Sequence, residues 1–65
     1  MSQDFVVDRD SDEYKKWVEY AHRAREYDML ISEEERLKPP TTVLEFVAHE
    51  YGVCSQKMAM LTLYL

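Results

Sequence analysis

Residues 42–65 read TVLEFVAHEYGVCSQKMAMLTLYL, and the fold turns on where that stretch breaks. Thr42 with Glu45 three residues on has capping-box spacing, in which side chains take up the amide protons left free at a helix start. Val43, Leu44, Val47, Ala48 and Tyr51 then recur at helical spacing on one face. Gly52 fits the left-handed residue just past a helix end, from which Val53 folds back on Val47 or Ala48. Ser55 caps a second helix over 56–65, in which seven of ten residues are apolar: Met58, Ala59, Met60, Leu61, Leu63, Tyr64 and Leu65. A helix apolar nearly all round needs cover nearly all round. The stretch therefore predicts helices over 43–51 and 56–65, joined by a tight glycine turn.

Upstream, Asp10 and Glu13 have capping-box spacing with Asp in place of Ser or Thr, and Asp12 adds a favourable charge at a helix N-terminus. A long helix over 11–28 follows. Tyr14, Trp17, Val18, Ala21, Ala24 and Ile31 lie on one side, with Tyr20 and Tyr27 at its edge. Asp28 would fall within that apolar stripe. A buried lone carboxylate is costly, so the helix ends or bends near 27–31, or Asp28 meets a basic partner. Ser32 and Glu35 form another capping box, opening a short helical turn over 33–37 that Pro39-Pro40 stops. Residues 1–9 read as an acidic, loosely ordered lead-in whose Phe5 and Val7 dock onto the helices. The expected architecture is one all-α domain over 1–65, with three main helices and the long first helix packed on the C-terminal hairpin.

Composition narrows the function. A 65-residue chain buries only about 60 % of its unfolded surface, so its core is small. One cysteine excludes an internal disulfide, and no apolar run reaches the length needed to span a bilayer. Phe5-Val6-Val7 is too short for a signal peptide, so a cytoplasmic location is expected. Thirteen acids against eight Lys and Arg leave a net charge of −5, which weighs against nucleic acid as the default ligand.

The segment from Leu44 to Leu63, with small Ala48, turn residue Gly52 and inward Met58 and Leu61, resembles the helix-turn-helix unit of DNA-binding regulators. That resemblance covers about 20 residues. It implies a dimeric regulator whose second helix enters the major groove, with Ser55, Gln56 and Lys57 as DNA contacts. Lys57 is the only Lys or Arg after Lys38, too little positive charge for a phosphate-dominated interface. The acidic clusters suggest a different class. Asp8, Asp10, Asp12 and Glu13, with Glu33 and Glu34, could face a basic surface, and the chain has the general look of small acidic phage-encoded inhibitors, anti-CRISPR proteins among them.

Catalysis has little to stand on. His49 and Cys54 lack an orienting third group, and His22, His49 and one cysteine do not make a zinc-ligand set. Glu33–Glu35 lack the alternating oxygens of a calcium loop. No catalytic, metal or cofactor residues are assigned. Tyr20, Tyr27, Met60, Leu63 and Tyr64 are candidate apolar contacts, with Met29 a further adaptable one. The leading expectation is a small, acidic, non-enzymatic interaction module, an inhibitor or modulator of a nucleic-acid-binding host protein with a basic surface, itself a homodimer. The alternative is the helix-turn-helix regulator.

Overall fold

The computed structural model describes residues 6–64 and is all-α among them. Asp4, Phe5 and Leu65 lie outside the described residues, and with them the docking of Phe5 and the last residue of the expected helix over 56–65. The helices are α1 (Asp12–Glu26), α2 (Glu33–Leu37), α3 (Val43–Tyr51) and α4 (Ser55–Met60), the last tightening into a 3₁₀ turn over Leu61–Leu63. α1 packs across both α3 and α4, which pack on each other. The core is Ala21 and Ala24 of α1, Val47 and Ala48 of α3, and Val53, Met58 and Leu61. Alanines on both α1 and α3 keep side-chain bulk out of their contact, so the helices close on each other with little volume to fill. Tyr14, Trp17, Val18 and Phe46 pack around this centre, partly exposed.

The helix starts differ from the expected caps in instructive ways. α1 is capped by Ser11 rather than Asp10: the Ser11 hydroxyl accepts from the Tyr14 amide at 3.2 Å. The Asp8 carboxylate is turned to the Asp10 amide, and the Asp8 carbonyl holds Ser11, so the lead-in expected to be loose is anchored from Asp8 onward. Ser32 and Thr42 cap α2 and α3 as expected, but neither capping box closes on itself. Glu45 reaches one residue further, to the amide and hydroxyl of Thr41, and these bonds hold its carboxyl below the ordinary value. Glu35 is diverted altogether: it accepts the Ser55 amide at 3.0 Å. Ser55 is thus the first residue of α4 and not its cap. Cys54 occupies the cap position without a side-chain bond, and α2 supplies the missing acceptor. The regular helix stops at Met60, short of 65, where the Thr62 hydroxyl bonds the Ala59 carbonyl and the turn tightens.

Two left-handed residues end the long helices in the same manner. After α1, Asp28 (φ 61°) lets the Met29 amide reach the Ala24 carbonyl at 2.9 Å. After α3, Gly52 (φ 70°) lets the Val53 amide reach the Ala48 carbonyl at 2.9 Å. Both are Schellman exits, each satisfying helix carbonyls that would otherwise go unpaired. The two exits then pair. Ile31 donates to Gly52 and Cys54 donates to Met29, a single antiparallel bridge centred on Leu30 and Val53. The question over Asp28 is settled in favour of termination: α1 ends at Glu26 and Asp28 is exposed beyond it.

Candidate functional site: an apolar groove beside the paired helix exits

The α1 exit and the α4 end border one groove of about 440 Å³. Tyr27 and Met29 form its α1 side. Met60 and Tyr64 form the other side, over a floor of Leu61. Lys57, Met60, Leu61 and Tyr64 are spaced three, four and seven apart, so one continuous helical stripe serves both the core, through Leu61, and the groove. Tyr27, Met60 and Tyr64 are 54 %, 51 % and 74 % exposed, enough to meet another chain without unfolding. Asp28 and Lys57 also line the groove, one charge of each sign.

Of the six apolar residues singled out from sequence, four meet here: Tyr27, Met29, Met60 and Tyr64. Tyr20 is placed elsewhere, beside a shallow polar cleft with Lys16, Glu19 and Arg23, its ring 5.7 Å from that of Trp17. Leu63 is 79 % exposed and stands outside the groove lining. Asp28 was read from sequence as a helix end or a salt-bridge member and not as a contact residue, and Lys57 was considered only as a DNA contact. The seven-residue stripe from Lys57 to Tyr64 was the available signal for the second.

The acidic side chains Asp8, Asp10, Asp12, Glu13, Glu33 and Glu34 are all exposed. None of the first four is ion-paired among the described residues: Arg9, the one base among them, is engaged elsewhere, and Lys15 and Lys16 follow on α1. Arg9 Nη1 donates to Glu50 Oε2 at 2.9 Å and to the Tyr14 hydroxyl at 2.8 Å, while Tyr14 donates to Glu50 Oε1 at 2.9 Å. The guanidinium also lies 5.4 Å from the Phe46 ring centre. Partial burial pushes the Glu50 carboxyl up, but the bonds from Arg9 and Tyr14 outweigh it and hold the group below its ordinary value. Burial, and the bond to Glu50, push the Tyr14 phenol up. Arg9–Glu50 is the one ion pair among the described residues.

The one pair considered for chemistry does not share a cleft. His49 borders a cleft with Arg25, Arg36 and Gly52, whereas Cys54 borders another with Glu34, Glu35 and Glu45. Among the described residues no three His, Cys, Asp or Glu side chains are grouped to hold a metal ion. Ser55, Gln56 and Lys57 lie on the first turn of α4, with Gln56 and Lys57 exposed. No described helix is long and apolar enough to cross a membrane. No protein-family model matches this sequence, and neither a curated protein nor a solved structure matches it.

Proposed function

We propose that this chain is a small, acidic, non-enzymatic interaction module of the cytoplasm. It acts by occupying the basic surface of a nucleic-acid-binding host protein, as a phage anti-defence inhibitor would. The observation that carries this reading is the exposed run Asp8, Asp10, Asp12 and Glu13, none of them ion-paired among the described residues, with the one base inside the run, Arg9, clasped by Glu50 and Tyr14. Such a cluster steers encounter with a basic surface and is weakened by salt. The groove at Tyr27, Met60 and Tyr64 adds an apolar face on which a chain can dock. The test is recovery of bound proteins from host cells by the tagged chain, comparing the wild type with Asp10→Asn/Asp12→Asn/Glu13→Gln. A set rich in nucleic-acid-binding proteins that is lost in the neutral variant supports the reading. An unchanged set removes the acidic cluster from the mechanism.

The second reading, a dimeric helix-turn-helix regulator, draws on the α3–Gly52–α4 hairpin with buried Ala48. It is less well supported. α4 has six residues before it tightens, and Lys57 is its only base. A mobility-shift assay at low salt decides it: saturable binding weakened by Lys57→Glu would favour DNA over a protein partner.

A further inference from the structure

Asp28 carries two local costs. It holds a left-handed backbone conformation (φ 61°) that glycine adopts at the equivalent position after α3. It puts a negative charge at the C-terminal end of α1, where the helix dipole disfavours one. Its carboxylate makes no hydrogen bond or ion pair among the described residues, and the bases of the last helical turn, Arg23 and Arg25, are not within ion-pair distance of it. A charged group held in a strained conformation without a direct partner is characteristic of functional positions. Lys57 lines the same groove and is likewise outside the one ion pair of the described chain.

We infer that the groove is the contact face of a symmetric dimer, in which Asp28 of each copy meets Lys57 of the other while Tyr27, Met60 and Tyr64 pack between them. This rests on the reading of the groove as a chain-docking face. A two-fold contact sets a surface against itself, so it must carry both members of every charge pair. This groove does, with one acid and one base on an otherwise apolar lining. A partner surface of one sign would meet like charge at one of the two, Lys57 or Asp28. The acidic cluster at residues 8–13 does not oppose association. It lies at the far end of α1, and a helix of 15 residues spans about 22 Å, beyond the ~8 Å screening length at physiological salt. Dimerisation would double the acidic clusters offered to a partner, which raises avidity when both can engage.

Sedimentation equilibrium on the full chain from micromolar to millimolar concentration tests this. Wild type should rise toward twice the monomer mass. Met60→Glu, at a position half exposed in the monomer, should abolish the rise, and Leu37→Glu, on an exposed site of α2, should not. Asp28→Lys and Lys57→Glu should each weaken the dimer about tenfold or more, since two contacts turn repulsive in each. An equimolar mixture of these two variants should associate again, because both contacts in the mixed pair are once more between opposite charges. Asp28→Asn, which keeps the left-handed preference, should weaken association without loss of helix by circular dichroism. A wild type monomeric at millimolar concentration would overturn the inference, as would a dimer indifferent to Met60→Glu or a mixture that stays monomeric. None of these results depends on capture of a basic partner by residues 10–13, so the two proposals fail separately.

Discussion

Gly52→Ala isolates one backbone conformation at the centre of the molecule. Gly52 sits at φ 70° and ψ 35°, and an added Cβ would find its nearest neighbour, Arg25 Nη1, at 3.9 Å. That is ordinary contact, so sterics from the surroundings contribute nothing. What remains is the intrinsic cost of a left-handed L-residue, about 1–2 kcal/mol. Alanine stiffens the unfolded chain and so returns about 0.4–1 kcal/mol. The net loss is about 1 kcal/mol, which for a domain this small lowers the melting temperature by about 4–8 °C. Asp28→Gly is the mirror experiment. It relieves the same strain at φ 61° and removes a carboxylate from the wrong end of α1, so it should raise the melting temperature. Melts followed at 222 nm should be run at low micromolar concentration, where self-association adds nothing to stability. A Gly52→Ala melt within 1 °C of the parent (1 °C ≈ ~0.2 kcal/mol), or an Asp28→Gly variant that melts lower, would refute the assignment of both turns to strained left-handed exits.

Glu35→Ala removes the acceptor that α2 lends to the Ser55 amide and should cost about 0.5–2 kcal/mol, seen as a lower urea midpoint with an unchanged slope. Glu45 and Glu50 both titrate below the ordinary value of 4.5 in the folded chain. Their contribution is therefore complete above about pH 4.5 and is lost as the pH falls below it through the folded values, because the unfolded chain takes up protons first. Urea midpoints measured from pH 7 to pH 3 should fall below that point, and Glu50→Gln should flatten part of the fall. Met58→Ala empties the largest fully buried side chain and should cost about 2–5 kcal/mol, against a total of about 3–10 kcal/mol for 65 residues, so its helical signal at 25 °C should be largely lost.

The legible part of the fold was whatever a single helix writes into its own stretch. Periodicity placed α1 and α3 to within two residues at each end, and Gly52 announced its turn because only glycine takes that conformation without strain. The errors arose where one element serves another. Glu35 three residues after Ser32 has the spacing of a self-contained box, and no local pattern discloses that its carboxylate is used to cap α4. The clasp of Arg9 by Glu50 spans 41 positions and is invisible to any window of sequence. Asp28 could be recognised as incompatible with a straight buried helix, but its left-handed geometry could not, because Asp, though enriched in that region among non-glycine residues, adopts it only in a minority of cases. The candidate site was half visible for the same reason: Met60 and Tyr64 share a stripe, while Tyr27 joins them only through the way α1 ends.

Exposure alone does not identify a contact face here. Val6, Leu37 and Leu63 are 94 %, 80 % and 79 % exposed, more than any apolar groove residue, and scattered apolar side chains are normal on a small protein. The groove differs in that its apolar atoms come from two elements held in fixed relation. The Leu30–Val53 bridge ties the α1 exit to the α3 exit, and α4 starts two residues after Val53. The position of Tyr27 relative to Met60 and Tyr64 is thus set by backbone hydrogen bonds and by the burial of Met58 and Leu61, not by the flexible ends of side chains. A surface fixed before contact loses little conformational entropy on binding, whereas Leu37, on a five-residue helix that buries nothing, would have to be ordered first. Substitutions that loosen the bridge without touching the groove should therefore weaken association as well as the fold, and Gly52→Ala, three residues before α4, is the variant in which the two effects should appear together.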